Sequence, residues 1–270
     1  MTVSNTKDIE SQGLRRDRLA RLVATRGFIR VADAALELAV SDVTIRGDLT
    51  ALERGGSILR VHGGAIPTDA FRESPLEASL DRDAAAKAAI GRVAAELVSS
   101  GESIFVDAGS TAMALATALT ERRELRDLVV VTSSLTIALA LEPALPRFTV
   151  IVTGGTLRAL QHSLVNPFAA PMLDSLRLDT AFIGCNGVDP RYGVTNVNLP
   201  EAEIKTRVLE RSRTHVLLAD ATKLGGADLA VIAPVADFET LVTAGDPPRG
   251  SLDGIRAAGV RVLLADKVDG

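Results

Sequence analysis

The sequence contains no tryptophan, and aromatic residues make up only 3% of the chain. This scarcity argues against the aromatic platforms on which RNA or single-stranded DNA stacks. A single cysteine, Cys185, excludes an internal disulfide, and with only three histidines no metal site or other cofactor is predicted. The longest apolar runs, such as residues 128–131, are far shorter than the roughly 20 residues that cross a bilayer. The N-terminus also lacks a signal-peptide core, so the sequence predicts a cytoplasmic protein with no membrane partner.

What remains is a chain of 270 residues with 47% apolar and 24% charged residues, which is typical of a folded protein with one large domain or two unequal ones. The net charge is −4, but residues 1–66 carry ten Lys and Arg against eight acids. The sequence therefore combines a weakly basic head with an acidic body. A solvated helix face accounts for arginines near residue 20 as readily as a phosphate-binding face does.

Three short helices are predicted in the head. Apolar residues at helical spacing mark an amphipathic helix over residues 14–25, and Asp33 is a candidate N-cap for a second helix. Ser41 is the candidate N-cap of a third helix, which ends at residues 55–56, both glycines. The short gap between the second and third helices is typical of a helix-turn-helix, whose later helix enters the DNA major groove. A generic three-helix bundle is the alternative.

An alternating run at residues 57–64 predicts a strand and turn, which residues 28–30 extend as a pairing strand, so that the head is a winged helix. Several polar side chains of the third helix lie off its apolar stripe and are predicted to face DNA. They are Asp42, Thr44, Arg46 and Thr50, together with the backbone of Gly47.

The sequence of residues 40–49 (VSDVTIRGDL) and 59–65 (LRVHGGA) closely resembles the N-terminal signature of the DeoR-type family of bacterial transcription regulators. The family has two arginines where this chain has Arg46 and Gly47, which removes one expected DNA contact. The resemblance implies that Ser41 and Thr44 contact phosphate and that Arg46 contacts bases or phosphate. It also implies that Arg60 and His62 contact the flanking DNA backbone, although His62 is equally well explained as an ordinary surface histidine.

The predicted domain boundaries follow from these patterns. Residues 1–13 are predicted to be a mobile polar tail, residues 14–66 the winged helix-turn-helix, and residues 67–76 a linker without periodicity. The remainder, residues 77–270, alternates strand-like and helix-like segments, including helices at 84–97 and 111–119. The predicted strands are 103–106, 128–131, 149–152, 181–183, 215–218, 240–242 and 260–263. Apolar strands separated by helices predict an α/β domain with a mostly parallel sheet, in which ligands bind at the carboxyl ends of the strands.

One candidate site follows the strand 103–106. The backbone N–H groups and hydroxyls of Gly109, Ser110 and Thr111, at the positive end of a helix, suit a phosphate. The alternative is that Ser110 is simply an N-cap.

Other candidates lie at successive strand ends. Gly154 and Gly155 permit a close backbone approach, although a plain tight turn is the commoner meaning. Lys205 lies on a helix, where a solvated lysine is the alternative. Asp220 and Lys223 follow another strand, where a local ion pair is the alternative.

The order of these elements also resembles the effector domain of the DeoR-type family, whose fold is related to ribose-5-phosphate isomerase and which senses phosphorylated sugars. The resemblance implies that residues 109–111 hold a phosphate with help from Lys205 or Lys223. It further implies that Asp107, Asn186 and Asp220 address sugar hydroxyls.

The resulting interpretation is a homo-oligomeric repressor, not an enzyme, that controls a carbohydrate operon. It is predicted to bind an inverted-repeat operator on double-stranded DNA as a dimer or tetramer, and to respond to a phosphorylated sugar. A sugar-phosphate isomerase with an added head is the main alternative, although residues 184–187 lack the acids that the isomerases carry in the corresponding loop. An interaction module without a ligand is the third possibility.

Overall fold

The computed structural model describes residues 3–26, 29–61, 63–67 and 73–265. The chain folds into two compact units, residues 1–72 and residues 73–270. No helix in the described ranges combines the length and the apolar character that a membrane span requires.

The first unit is helical with a small antiparallel sheet. Its elements are α1 (Val3–Arg26), β1 (Ile29–Arg30), α2 (Val31–Glu37), α3 (Asp42–Arg54), β2 (Ile58–Val61) and β3 (Gly64–Pro67). The predicted apolar stripes form its core, because Leu19 and Val23 of α1 are buried together with Ile45 and Leu49 of α3. The predicted winged helix-turn-helix is confirmed.

Several details of the head differ from the sequence expectation. Residues 3–13, predicted as a tail, belong to α1. The N-cap of α2 is Arg30, and Asp33 lies in the first turn of the helix, where its negative charge suits the helix dipole. The short strand β1 pairs with β3, with Arg30 opposite Gly64 at the end of the predicted 57–64 run. The sheet order is β1-β3-β2, so β1 does not pair with β2, which forms the main part of that run.

The second unit is built on strands and helices in alternation. The first half contains α4 (Leu76–Asp81), α5 (Ala84–Glu96), β4 (Ser103–Val106), α6 (Ser110–Glu121), β5 (Leu128–Thr132), α7 (Leu135–Ala140), β6 (Phe148–Val152), β7 (Thr156–Arg158) and β8 (Ser163–Val165). The second half contains α8 (Ala169–Asp174), β9 (Leu178–Gly184), β10 (Gly187–Asp189), β11 (Gly193–Asn196), α9 (Leu199–Glu210), β12 (Ser212–Leu218), β13 (Ala230–Ala233), β14 (Thr240–Thr243), α10 (Ser251–Ala257) and β15 (Arg261–Leu264).

All seven predicted strands lie in one parallel sheet of order β15-β14-β12-β9-β4-β5-β6. The sheet has an apolar core on each face. Successive residues of β4 point to opposite sides, so Ile104 and Val106 belong to one core and Phe105 belongs to the other. The predicted α/β fold class is therefore confirmed. The patterns missed two small antiparallel sheets, the β7–β8 hairpin and the sheet β10-β11-β13.

The strand order places a site at the middle of the sheet. From β4 the chain winds outward through β5 and β6, whereas from β9 it winds the other way through β12, β14 and β15. The neighbours β4 and β9 thus form a topological switch point, and ligands in open parallel sheets bind beyond the carboxyl ends of such strands.

Candidate functional sites

In the first unit, the start of α3 is capped as predicted. The Ser41 Oγ accepts a hydrogen bond from the Thr44 backbone N–H at 3.2 Å, and the two hydroxyl oxygens lie 2.9 Å apart. The cap fixes the start of α3, and Ser41 is exposed. Both hydroxyls are therefore fixed at the N-terminus of the helix, an end that favours contact with phosphate.

The wing and α3 are joined through a predicted DNA contact. Arg60 on β2 donates from Nη1 to the Thr50 hydroxyl at 3.2 Å, and Thr50 in turn donates to the backbone carbonyl of Arg46 at 2.8 Å. The guanidinium of Arg46 lies 3.7 Å from Asp42, one turn earlier. The structure therefore brings these four predicted residues into one chain of contacts, while His62 lies outside the described residues.

A buried carboxylate in α3 was missed by the sequence patterns. Asp48 is only 1% exposed and is bound by Arg15 at 2.6 Å and Arg16 at 2.9 Å, both from α1. Two of the arginines that make the head basic are therefore paired within the protein. Their contribution is to hold α1 against α3.

In the second unit, a cleft lies at the carboxyl ends of β4, β9 and β12. The predicted effector residues that line it are Gly109, Ser110, Thr111, Asn186, Lys205, Asp220 and Lys223. Gly154 and Gly155 are not among its described lining residues. A Cβ at Gly155 would lie 2.0 Å from the Val165 carbonyl oxygen, so this glycine permits close contact between β8 and the loop before β7.

The N-terminus of α6 opens on the cleft without a side-chain cap. Its N-cap is Gly109, with φ of 115°, and Ser110 is the first helical residue, so the N-cap interpretation of Ser110 is wrong. The first N–H groups of any helix have no intrahelical acceptor. Those of Ser110, Thr111 and Ala112 are therefore suited to binding an anion in the cleft.

Lys205 is held inside the protein. Its ammonium lies 3.0 Å from Asp107 Oδ2, 3.0 Å from the Gly184 carbonyl oxygen and 3.1 Å from Asn196 Oδ1. These three acceptors use all three of its protons. Burial opposes the charge, yet the carboxylates of Asp107 and Glu201 outweigh it and raise the pKa of Lys205. The solvated-lysine alternative is thus wrong, and the geometry makes Lys205 a buried brace between β4, β9 and α9.

Asp107 lies behind the cleft and is only 1% exposed. Its Oδ2 accepts the Gly184 N–H at 2.9 Å in addition to the Lys205 ammonium. The Asn186 Oδ1 accepts the Val197 N–H at 3.0 Å, and Asn186 lines the cleft. The Asp220 Oδ1 caps the turn at Thr222, whose N–H donates to it at 3.0 Å.

Two other lysines of the cleft are not saturated. Lys87 on α5 is 6% exposed and donates to the Ser79 carbonyl at 2.6 Å and to the Arg82 carbonyl, which leaves one proton. Burial lowers the pKa of Lys87, and the charge of Asp220 partly offsets this effect. Within the described ranges, the ammonium of Lys223 has no hydrogen-bond or ion-pair partner. The alternative interpretation, a local ion pair of Asp220 with Lys223, is therefore not supported within these ranges.

The sequence patterns missed an acidic and basic cluster beside the cleft. Arg158 on β7 forms ion pairs with Glu73 and with Glu201, and the two carboxylates line the cleft. Ser163 also donates to Glu201. Glu73 and Arg158 are far apart in sequence, so no local periodicity marked them. No group of three or more His, Cys, Asp or Glu side chains in the described ranges is arranged to hold a metal ion.

Two family models match the chain, one in each unit. Residues 15–70 match the model of the DeoR-like helix-turn-helix domain, and residues 82–245 match that of the DeoR C-terminal sensor domain. The chain belongs to the DeoR family. This family consists of DNA-binding transcription regulators, so the predicted regulator is confirmed and the isomerase alternative is not supported.

Two relatives match this chain over nearly their whole length. A putative aga operon transcriptional repressor of Escherichia coli O157:H7 is 29% identical over 264 residues, 97% of each chain. The HTH-type transcriptional regulator GlpR of Haloferax volcanii is 33% identical over 250 residues, 92% of this chain and 96% of its own. Among solved structures, a D-ribose-5-phosphate isomerase in complex with phospho-erythronic acid is 20% identical, with a TM-score of 0.38, and the match covers 51% of this chain and 52% of its own. That likeness is too weak to carry a functional argument.

Proposed function

We propose that this DeoR-family regulator represses a carbohydrate-catabolic operon and that a phosphorylated sugar, bound in the cleft of the second unit, controls its affinity for the operator. The observation that carries the effector assignment is the uncapped N-terminus of α6, which lines the same cleft as Lys87 and Lys223. Helix N–H groups and ammonium groups are the donors that bind phosphate in proteins.

The remainder of the cleft suits a polyhydroxylated ligand. Asn186 and Asp220 have polar atoms that are not used by their internal hydrogen bonds. The neighbouring carboxylates of Glu73 and Asp83 add acceptors for hydroxyl groups. The cleft therefore combines donors for a phosphate with acceptors for a sugar, and Lys205 and Asp107 act beneath it as structural support.

On the DNA side, we propose that α3 enters the major groove with Ser41 and Thr44 on phosphate and Arg46 on base edges or phosphate. Arg60 then contacts the flanking DNA backbone, and so does His62, two positions later in the sequence. A dimer would present two such helices about 34–36 Å apart, or a multiple of this distance, and so read an inverted repeat. The effector lowers operator affinity only if it binds the DNA-competent arrangement more weakly than the other.

The effector is tested first by the melting temperature of the full chain with a panel of sugar phosphates and the matching free sugars. A ligand at 100 times its Kd adds about 2.7 kcal/mol to the native state, so a binding sugar phosphate raises the melting temperature and its free sugar does not. Lys223→Met is expected to abolish the shift, whereas Arg261→Met, which removes a positive charge from an exposed site on β15, leaves it intact. A shift that survives Lys223→Met contradicts the proposed phosphate site.

Control of DNA binding is tested with an operator selected from random double-stranded DNA by the wild-type protein. The selected sites are expected to be inverted repeats. Addition of the sugar phosphate identified above is expected to weaken operator binding by about 5- to 150-fold, the usual range of allosteric coupling. Operator affinity that does not change with a bound sugar phosphate would overturn the control step and leave the DNA-binding assignment in place.

A further inference from the structure

The first residues of the second unit, 73–83, run along the wall of the cleft and are called the strap below. Its beginning is bound to the turn between β7 and β8. The Gln161 side-chain amide donates to the Ser74 carbonyl at 2.6 Å, the Leu76 N–H donates to the Leu160 carbonyl at 2.9 Å, and His162 Nε2 lies 3.0 Å from Glu77.

The ion pair of Glu73 with Arg158 is less exposed than the His162–Glu77 contact at the same end of the strap. Arg158 is 16% exposed and lies between Glu73 and Glu201, whose side chains are 11% and 9% exposed. One guanidinium is therefore shared between the strap and the wall formed by α9. Because Glu201 stays paired with Arg158, the loss of Glu73 releases the strap without leaving the arginine unpaired.

The other end of the strap is bound to the proposed phosphate site. Two protons of the Lys87 ammonium are donated to the carbonyls of Ser79 and Arg82, both in the strap. The third is available to an anion in the cleft, which Arg82 and Asp83 also line. An anion on Lys87 is thus connected to the strap backbone through a single ammonium group.

We propose that the strap is the element that reports occupancy of the cleft to the chain leading into the DNA-binding unit. The Glu73–Arg158 pair holds its first residues whether or not the cleft is filled, and an anion on Lys87 and Arg82 adds a second attachment at its end. Ligand binding therefore orders the strap, and the contacts that differ between the empty and filled states lie at the start of the second unit, in a segment that overlaps the predicted linker of residues 67–76. This inference rests on the proposed function, because it assigns a regulatory role to the same cleft.

The attachment itself is tested by hydrogen exchange on the ligand-free full chain. Glu73→Gln is expected to raise amide exchange across residues 74–82 by about fivefold or more, while residues 178–184 in the central strand do not change. Gln161→Ala, which removes one neutral contact, is expected to have a smaller effect in the same peptides. The matched control is Glu210→Gln, which removes a carboxylate from an exposed ion pair with Arg207 and leaves residues 74–82 unaffected. If neither strap variant changes exchange across 74–82, the proposal is overturned.

The link to the cleft is tested with inorganic phosphate as the probe. Phosphate is expected to slow exchange across residues 74–82 in the wild-type chain by about threefold or more, and Lys87→Met is expected to lose this protection. Phosphate protection confined to the start of α6 would overturn the reporting role. If phosphate protects the strap but no sugar phosphate shifts the melting temperature or operator affinity, the proposed effector fails while the strap inference stands.

Discussion

At the scale of single residues, the two lysines predicted to serve the phosphate differ in kind. Lys205 is 4% exposed and has its three protons on acceptors of the protein, whereas Lys223 faces the cleft with no partner in the described ranges. The type and position of a lysine in the sequence do not reveal this difference. It depends on which acceptors the folded chain places around each ammonium.

This difference makes a prediction for stability. Lys205→Met leaves the buried Asp107 carboxylate without its partner and is expected to cost about 3–5 kcal/mol of unfolding free energy, measured by urea denaturation at pH 7. Lys223→Met is the control and is expected to change stability by less than about 0.5 kcal/mol. Similar losses of unfolding free energy in the two variants would contradict the structural role of Lys205.

The pH dependence follows from the direction of the pKa shift. Because its partners raise the pKa of Lys205, its contribution is complete below the ordinary lysine pKa of about 10.4 and is lost as the pH rises through the higher folded value. The stability difference between the wild type and Lys205→Met is therefore expected to shrink at alkaline pH, where the Lys205 ammonium loses its proton.

Cys185, the one thiol, gives a second prediction at this scale. Burial raises the pKa of Cys185 to about 12. At pH 8 about one thiol in 10,000 is then ionised, compared with about one in four for a free cysteine. Labelling of the native protein with a thiolate-specific reagent is expected to be at least about 100-fold slower than labelling of the unfolded chain at the same pH. Equal rates would show that the fold neither shields this half-buried thiol nor raises its pKa.

At the scale of elements, two helical glycines have opposite roles. A Cβ at Gly47 on α3 would meet open space, whereas a Cβ at Gly91 on α5 would lie 2.5 Å from the Ala114 backbone of α6. Glycine at position 47 therefore only lowers helix propensity, and glycine at position 91 is what lets α5 and α6 pack closely.

The same substitution is therefore expected to act with opposite sign. Gly47→Ala is expected to stabilise the first unit by about 0.5–1 kcal/mol, because alanine favours the helix and restricts the unfolded chain. Gly91→Ala is expected to destabilise the second unit by about 1–3 kcal/mol through overpacking. Both are measured by chemical denaturation, each variant serving as the control for the other. A Gly91→Ala variant as stable as the wild type would contradict the close packing of α5 on α6, and a destabilised Gly47→Ala variant would contradict the open space at Gly47.

At the scale of the whole molecule, each buried apolar cluster lies within one of the two units. The cluster of the first unit draws its residues from positions 19–65, and the two clusters of the second unit draw theirs from positions 86–265. Each unit therefore has a hydrophobic core made of its own residues, which is the property of a domain that folds alone.

A separate fragment of residues 73–270 is accordingly expected to fold and to show the same rise in melting temperature with a binding sugar phosphate as the full chain. The measurement compares the two proteins at equal ligand concentration, with Lys223→Met in the fragment as the negative control. A fragment that folds but gives no shift would place part of the effector site outside the second unit.

The sequence by itself determined the architecture and the family. Apolar periodicity, the Ser41 cap and the run at residues 40–49 are local signals, and local signals predict helices, strands and short motifs because neighbours in the chain are neighbours in the element. The seven parallel strands and the line of polar residues at their carboxyl ends followed from the same reasoning, since strand ends meet at one edge of a sheet.

Only the tertiary structure decided which of these polar residues are available. Asp48 binds Arg15 and Arg16 from another helix, Lys205 is enclosed by acceptors from three elements, and Glu73 meets Arg158 across 85 positions of sequence. Such pairings depend on how elements pack rather than on their local pattern, because a charged side chain that becomes buried must find its partner wherever the fold provides one.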